Sequence, residues 1–500
     1  MSVTLSEAQA IVDTLLRQGK PVGDVVEAIE NLPFNNGDLD KMRSYISDHA
    51  PKDASPTGDT TLAGVLSLYQ KYYHLPQTDH LELILGTVAA NRGDGDPVWF
   101  INVAPPGYGK TEPMNALVGL PDIYPVSVLT EASLLSGTPH KDRGKGCKGG
   151  LLAEMGAFGI LLIKDFSGML SLAKDTRGPI MSAMRDVYDG HWTRYVGTEG
   201  GRKLEWQGKC GLIGAATPNI DQHSAVMANL GERFCFYRIP AGDEKERSKK
   251  ALANAGHESR IREELHRATK GLFETITISD RQLELTADEE EKLIALATFA
   301  TRCRSAVERD SYSTREVQLI GGAESPTRLV KVLRLLMRGL EDIGATRERA
   351  WWLIEQVALD SMPALRQAVL CHMLTGQNDE KWATNDLATN LGYPTQTTRR
   401  ALEDLACYGI VSRTSQGEGK ADIWTLTDWT LETTATFPEI RKGYMSLYKT
   451  PKLNRQYFGK GLPGGQLSDC PACGRCEWSF VSDRDVKCPC GHEMTIVGGA

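Results

Sequence analysis

A glycine-rich loop near residue 105 constrains the fold of this chain more than any other feature. The run at 104–111 reads APPGYGKT, follows the apolar segment VWFINV, and fits G-x-x-x-x-G-K-[ST] except that Ala104 replaces the first glycine. A strand before such a loop and a helix after it let backbone N–H groups cradle phosphate oxygens. The sequence therefore predicts a nucleotide-binding loop that joins a strand to a helix.

The residue types in this loop suit ATP and Mg²⁺. Two glycines allow the backbone to turn its N–H groups inward. Lys110 would reach the β- and γ-phosphates, and the Thr111 hydroxyl would bind Mg²⁺. The predicted nucleotide-binding residues are Pro106, Gly107, Tyr108, Gly109, Lys110 and Thr111.

A second apolar segment, FGILLIKDF at 158–166, ends in the pair Lys164-Asp165. ATPases with this loop normally end that strand in two carboxylates, one for Mg²⁺ and one for the attacking water. Either Lys164 takes the Mg²⁺ position and Asp165 the catalytic one, or a shift of one residue makes Asp165 the Mg²⁺ partner. The shifted alignment leaves the catalytic base unassigned. Asp165 is the only carboxylate at the end of this strand, so it is the predicted site residue in either alignment. The alternative is a surface carboxylate that caps the next helix.

Alternating strand and helix signals predict an α/β fold with a parallel sheet. The predicted strands are Val98–Val103, Tyr124–Leu129, Ile160–Ile163 and Gly211–Ala215, and residues 283–360 are predicted to be helical throughout. Because 500 residues exceed one core, several domains are expected. We predict a helical docking domain at 1–50, an ATPase module with a helical lid at 61–360, a winged helix at 363–430, a basic linker at 441–465 and a zinc ribbon at 466–500. The docking domain is predicted to have three helices, with Pro33 and a turn at Asn35-Asn36-Gly37 before the third.

From about residue 97 to 345, roughly half of the chain, these pieces resemble AAA+ ATPases of the minichromosome-maintenance helicase type and related helicase-like ATPases of phages and mobile elements. The matching pieces occur in the same order. They are the phosphate loop, the strand Gly159–Phe166, a helix at Gly178–Asp189, a polar hairpin at Trp192–Trp206 and a strand at Lys209–Thr217. Ala104 and Lys164 depart from the family pattern, and Lys164 bears on the rate of hydrolysis.

The resemblance also implies three further catalytic residues. Asn219, after the Lys209–Thr217 strand, would polarise the attacking water. Arg233, within LGERF at 230–234, would be a finger inserted into the ATP of a neighbouring subunit, and Arg328, within PTRL at 326–329, would be the second sensor arginine. The plainer alternatives are a turn cap for Asn219, a surface ion pair for Arg233 and an ordinary helix-surface arginine for Arg328.

In the resembled helicases, such a hairpin projects into a central pore and holds the phosphate backbone. Arg202 and Lys203 would then contact single-stranded DNA in a homo-oligomer, which the resemblance implies is a hexamer. Arg194 also lies on this hairpin, whose predicted turn is Gly200-Gly201. An ordinary solvated turn is the alternative.

The predicted winged helix has a first helix at Trp382–Leu391 and a second at Thr395–Tyr408. Arg399 and Arg400 lie near the start of the second helix, where a recognition helix touches DNA. Winged helices also serve as protein docks, so both uses are open. Residues 441–460 contain six basic residues, no acidic ones and four interleaved aromatic rings, a pattern typical of single-stranded nucleic-acid binding or of a solvated basic linker.

Five of the eleven cysteines lie within residues 470–490. Two short cysteine knuckles suit a tetrahedral, structural Zn²⁺ site. The predicted ligands are Cys470, Cys473, Cys488 and Cys490, with Cys476 and His492 as possible substitutes. The other six cysteines are expected to be buried, reduced thiols.

The net charge of −7 confines any nucleic-acid contact to local patches. Neither a membrane-spanning stretch nor a signal peptide is evident, so a cytoplasmic protein is expected. We predict a ring-forming, ATP-dependent DNA helicase or translocase in replication of a phage, plasmid or mobile element. The alternatives are a non-translocating ATP switch, such as an initiator, loader or DNA-bound regulator, and an ATPase that remodels protein. A protein partner is possible for residues 1–50.

Overall fold

The computed structural model describes most of the chain up to residue 437 and three short strands beyond it. The described residues are 4–17, 22–32, 36–49, 60–138, 148–197, 201–223, 227, 233–278, 283–310, 316–376, 380–417, 421–437, 479–480, 485–487 and 493–495. They belong to two compact units. One comprises Met1–Thr78, Glu112–Leu120 and Asp243–Thr277, and the other comprises Asp79–Thr111, Pro121–Gly242 and Ile278–Ala500.

The first unit is helical. Its helices are α1 (Leu5–Arg17), α2 (Val22–Glu30), α3 (Asn36–His49), α4 (Leu62–Tyr72), α11 (Glu244–Asn254) and α12 (Glu258–Thr275), together with all but the first residue of α6 (Thr111–Leu117). Helices α1 to α3 enclose a small apolar core, formed by Ala8, Val12, Val25, Ile29, Met42 and Ile46. This agrees with the three helices predicted for residues 1–50, although Asn36 and Gly37 begin α3 and do not form the predicted turn.

The second unit is built on a five-stranded parallel sheet, in the order β2-β3-β6-β1-β7. These strands are β1 (Trp99–Val103), β2 (Ile123–Pro125), β3 (Phe158–Ile163), β6 (Lys209–Ala216) and β7 (Phe234–Arg238). Their nearly continuous burial is what a sheet covered on both faces requires. The predicted α/β fold with a parallel sheet is therefore confirmed, although β2 ends at Pro125, short of the predicted Leu129, and the sequence did not predict β7.

Helices and a hairpin lie before the first sheet strand or between sheet strands along the chain. They are α5 (Asp79–Arg92), α6 (Thr111–Leu117), α7 (Glu131–Leu134), α8 (Leu151–Met155), α9 (Phe166–Leu170), α10 (Lys174–Tyr188), and the hairpin of β4 (His191–Val196) and β5 (Arg202–Gln207). The hairpin lies where the sequence predicted it. Helix α10 begins several residues before the predicted start, with Pro179 tolerated inside it.

The segment after the sheet is not helical throughout, so that prediction was wrong. Helices α13 (Ala287–Arg304), α14 (Thr327–Asp342) and α15 (Arg347–Asp360) are interrupted by an antiparallel pair, β8 (Glu308–Arg309) and β9 (Val317–Leu319). Helix α14 packs closely on α5, because a Cβ on Gly339 would lie 2.2 Å from the Gly86 carbonyl oxygen. This packing fixes the position of α14, whose first turn carries Arg328.

Residues 364–435 combine helices with a three-stranded sheet in the order β10-β12-β11. Its elements are α16 (Ala364–Thr375), β10 (Trp382–Ala383), α17 (Thr384–Leu391), α18 (Thr395–Cys407), β11 (Val411–Thr414), β12 (Ile423–Leu426) and α19 (Asp428–Ala435). Trp382 and Ala383 were predicted to begin a helix, which was wrong, since they pair with β12. Three antiparallel strands follow further on, β13 (Ser479–Phe480), β14 (Asp485–Lys487) and β15 (Glu493–Thr495).

Among the helices that the structure describes, none has the length and apolar character needed to cross a membrane.

Candidate functional site

The predicted phosphate loop connects the carboxyl end of β1 to the amino end of α6. Gly107 and Gly109 have φ angles of 81° and 78°, a region that side chains with a Cβ rarely adopt. A Cβ built at either glycine would meet no described atom within 4 Å, so the glycines are needed for backbone conformation while the space in front of the loop is open. The two glycines of the motif thus adopt backbone angles that favour glycine at these positions.

Ala104, which replaces the first glycine of the motif, continues the strand pairing. Its N–H donates to the Ala216 carbonyl oxygen (3.1 Å), so the bonding to β6 continues one residue beyond Val103, where β1 ends. An alanine is compatible with that extended backbone.

Lys110 donates hydrogen bonds to its own loop and interacts electrostatically with Asp165. Its Nζ donates to the carbonyl oxygens of Ala104 and Pro105, the latter at 2.7 Å. Burial lowers the pKa of Lys110, and the negative charge of Asp165 opposes that shift. Asp165 therefore lies near enough to the phosphate loop to act on the charge of its lysine.

Asp165 also caps a helix, as the plainer alternative expected. It precedes α9, and its carboxylate accepts a hydrogen bond from the Gly168 N–H (3.3 Å). Both Lys164 and Asp165 are exposed beyond the end of β3. The cap and the proximity to Lys110 are compatible, because a carboxylate has two oxygens and several lone pairs.

Asn219 lies at the same edge of the sheet. It is exposed on a short 3₁₀ helix, Pro218–His223, which follows β6. The preceding Thr217 donates its N–H to the Ser167 hydroxyl (2.8 Å) in the first turn of α9, so the segments carrying Asp165 and Asn219 are bonded together. The sequence analysis missed Ser167, because a contact between segments 50 residues apart has no local signal.

Arg233 lies immediately before β7 and is held by groups of its own chain. Only 8% of its side chain is exposed, and its Nη2 donates to both carboxylate oxygens of Asp189, at 2.9 and 2.7 Å. Its guanidinium carbon lies 5.1 Å from the centre of the Tyr188 ring. Arg328 approaches the same ring, at 5.9 Å. The structure thus gathers two of the predicted catalytic arginines around one tyrosine.

A cavity of about 670 Å³ opens beside this cluster. Its lining mixes both signs of charge and includes Asp96, Tyr188, Asp189, Lys209, Glu324 and Arg328. Burial, assisted by the positive charge of Arg338, lowers the pKa of Lys209 to about 8.

The predicted catalytic residues consequently fall into two groups at opposite edges of the sheet. Lys209 begins β6, and Pro97, which also lines the cavity, comes just before β1, so the cavity lies at the amino edge. The phosphate loop, Asp165 and Asn219 follow strands and lie at the carboxyl edge. Since a five-residue strand such as β1 spans about 16 Å, the two groups are separated by at least that order of distance.

In the β4–β5 hairpin, the two predicted DNA-contacting residues lie on different faces. Lys203 is exposed, pairs across the strands with Tyr195 and forms an ion pair with Glu205. Arg202, its neighbour, is on the opposite face and is partly buried. Tyr195 is 74% exposed on the same face as Lys203. Sequence reasoning missed it, although strand alternation could have indicated it.

The base of this hairpin is firmly anchored. Arg194 donates to the Leu135 carbonyl oxygen (2.7 Å), and the Trp206 indole donates to that of Gly156 (2.7 Å). Trp192 and Trp206 pair across the strands, and both are buried. Arg194 therefore serves as an anchor.

Of the two predicted DNA-contacting arginines of α18, Arg399 has its guanidinium held by carboxylates of its own chain. Arg399 contacts Glu403 (3.0 Å) and Asp422 (3.4 Å). The carbonyl oxygen of Arg400 accepts a hydrogen bond from Arg309 of β8 (3.0 Å), which also pairs with Glu403 and Asp404 on the same helix. Contact of this helix with DNA would have to compete with these carboxylates.

Several predicted features lie outside the described residues. They are the zinc ligands Cys470, Cys473, Cys488 and Cys490, their possible substitutes Cys476 and His492, the basic segment 441–465 and residues 230–232 before Arg233. Within the part of the chain that is described, no group of three or more His, Cys, Asp or Glu side chains could hold a metal ion. Cys210, Cys235 and Cys303 are free, buried thiols, as predicted. Cys371 and Cys407 are free but only partly buried, so the prediction was wrong for these two, and Cys147 lies outside the described residues.

The chain was also compared with known proteins. No protein-family model matches it, and no curated protein matches it either. The function proposed below therefore rests on the geometry of the two sheet edges.

Proposed function

We propose that this chain is an AAA+ ATPase that assembles with copies of itself and uses ATP to move on or remodel DNA. The observation that carries this proposal is the division of the candidate residues between two sheet edges. A phosphate loop, an acidic residue and a polar asparagine follow three adjacent strands at the carboxyl edge, and two arginines share a ring at the amino edge.

At the carboxyl edge, the chain's own residues suit nucleotide binding. The N–H groups around Gly107 and Gly109, together with the Lys110 ammonium, would bind the phosphates, since charge-assisted hydrogen bonds are the strong ones. Mg²⁺ bound beside Thr111 and Asp165 would supply positive charge against the phosphate oxygens. Asn219 would orient the attacking water from the adjacent strand.

The positions of Arg233 and Arg328 at the amino edge favour an action on the nucleotide of a neighbouring subunit. Arg233 and Arg328 lie too far from their own phosphate loop to reach the same nucleotide, because the length of a strand separates them. A neighbour that presents its phosphate loop to this edge would receive both guanidinium groups, which suit the charge of a transferring phosphoryl group. A closed ring of head-to-tail subunits repeats that contact at every interface. The number of six subunits rests on the family resemblance.

The hairpin is our candidate DNA contact. Lys203 offers a cation for phosphate, and the exposed Tyr195 ring beside it offers a stacking surface for a base. Its anchored base would transmit force between DNA and the sheet. For the α16–α19 region, proposed as a winged helix, the ion pairs of Arg309 with α18 favour a docking role over DNA contact. The cysteine-rich end is proposed as a structural zinc site.

The ATPase rate of the full chain, measured with and without single-stranded DNA, tests this proposal. We expect ATP turnover that rises several-fold with DNA, together with strand displacement on a forked duplex. Stimulation without displacement would favour the non-translocating switch. Absence of nucleotide binding would overturn the proposal, and stimulation by a protein but not by DNA would replace it with protein remodelling.

A further inference from the structure

The short junction between α10 and the hairpin carries both a tight turn and an ion pair. Helix α10 ends at Tyr188 and β4 begins at His191, so Asp189 and Gly190 form the whole connection. Gly190 has a φ angle of 88°, and its carbonyl oxygen accepts a hydrogen bond from the Gly208 N–H (3.0 Å), which closes the base of the hairpin. A displacement of Asp189 would therefore act directly on the hairpin base.

The same Asp189 holds Arg233. The carboxylate is 44% exposed beside the cavity, whereas the arginine beneath it is 8% exposed. Both carboxylate oxygens accept from one terminal nitrogen, Nη2. An arriving phosphate would meet an arginine that another anion already holds, so phosphate and carboxylate would compete for the same donor.

We propose that Asp189 is a positioning residue that couples Arg233 to the hairpin. The inference rests on the proposed function, in which Arg233 faces the phosphate of a neighbouring subunit. When that phosphate binds Arg233, the ion pair with Asp189 weakens and the hairpin base gains freedom to move. By linkage, DNA that shifts the hairpin changes the availability of Arg233 by the same factor.

The test measures this coupling in both directions on the full chain. The affinity for a fluorescent oligo-dT strand is titrated with and without a saturating non-hydrolysable ATP analogue, and the affinity for the analogue is titrated with and without oligo-dT. In the parent, the two ratios should be equal and about fivefold or more, as is typical of coupled sites. In Asp189→Asn, both ratios should fall close to one, while each affinity measured alone stays within about threefold of the parent.

Asp186→Asn is the matched control, because Asp186 is an exposed carboxylate on the same helix. It should keep the ratios of the parent. A parent-sized ratio in Asp189→Asn overturns the inference, and so does a parent that binds both ligands without coupling. A parent that binds neither ligand overturns the proposed function instead.

Arg233→Gln keeps the test decisive if Asp189→Asn does not fold. It removes the ion pair from the other side, so its ratios should also fall close to one. Combining both substitutions should reduce the ratios no further than either alone, because each removes the same contact. Retained coupling in Arg233→Gln counts against the proposal.

Discussion

The two edges of the parallel sheet are assembled in different ways. At the carboxyl edge, Lys110 bonds to carbonyl oxygens only five and six residues before it. At the amino edge, Arg233 donates to Asp189, which lies 44 residues before it. Arg328, on α14, lies over the ring of Tyr188, which Arg233 also contacts. A local motif can therefore specify the first edge, whereas the second exists only once the sheet has formed.

The two edges also differ in how they hold a buried lysine. Burial lowers the pKa of both Lys110 and Lys209. At the carboxyl edge the charge of Asp165 opposes the shift, while at the amino edge the charge of Arg338 adds to it. Asp94 and Asp96 also raise the pKa of Lys209, so the two edges differ by the cation Arg338, which lowers the pKa of Lys209 at the amino edge.

The largest effect is expected from Lys110→Ala, which removes the main cation of the phosphate loop. Nucleotide affinity should fall about 100-fold or more, the equivalent of losing about 3 kcal/mol of charge-assisted contacts. Titration with a fluorescent ATP analogue measures it. Lys174→Ala, which removes an exposed lysine at the start of α10, is the control and should bind normally. Unchanged affinity in Lys110→Ala would remove the assignment of the carboxyl edge.

The second largest effect is expected from Arg233→Ala, a substitution at the amino edge. Arg233→Ala should bind nucleotide nearly normally but hydrolyse it at least about tenfold more slowly, a cautious value beside the much larger effects of arginine fingers in GTPases. Steady-state ATPase assays measure it. Arg185→Ala is a matched control, because Arg185 lies on α10 and donates to Ser182 of the same helix (3.4 Å). It should keep the rate of the parent.

Mixing subunits tests whether the two edges belong to different chains. Arg233→Ala and Asp165→Ala subunits should each be nearly inactive, and their mixture should recover part of the activity. The mixture pairs an intact carboxyl edge from one variant with an intact amino edge from the other. If the variants assemble together and no activity returns, the edges do not meet between subunits.

A smaller effect is expected from the hairpin, away from both edges. Lys203→Ala or Tyr195→Ala should weaken oligo-dT binding by a few-fold, because one phosphate contact or one stacking surface is lost. Arg202→Ala should weaken it less, since Arg202 lies on the other face. Fluorescence anisotropy at two salt concentrations measures this. Gln207→Ala, exposed near the hairpin base, is the control. Equal affinity in all variants would leave the hairpin as a plain turn.

The smallest effect concerns the titration of Lys209. Its pKa is about 8 in the folded chain, against 10.5 for an unperturbed lysine, so between these pH values the unfolded chain binds more protons. Stability should therefore rise with pH across this window, relative to Lys209→Met, by about 1 kcal/mol after allowance for solvent screening. Urea unfolding at pH 7.5 and pH 10 measures it. An identical pH dependence in both proteins would contradict this burial.

Some parts of the fold could be predicted because their signals are local. Runs of apolar residues predicted the central strands of the sheet, and the hairpin predicted at Trp192–Trp206 is formed by β4 and β5. The β8–β9 pair was missed because two- and three-residue strands leave no periodic pattern. Trp382 and Ala383 were assigned to a helix because their strand conformation depends on pairing with β12.

The sequence by itself determined the glycine-containing loop after β1 and the polar residues that follow the sheet strands, since motif spacing and strand ends are properties of contiguous chain. The tertiary structure alone decided that Arg233 and Arg328 share Tyr188, that Asp189 holds Arg233, and that Tyr195 lies beside Lys203. The physical reason is that ion pairs and ring contacts depend on distance in space. The order and parallel direction of the sheet strands bring Arg233 and Asp189 to one edge, and the antiparallel pairing of β4 with β5 places Tyr195 beside Lys203.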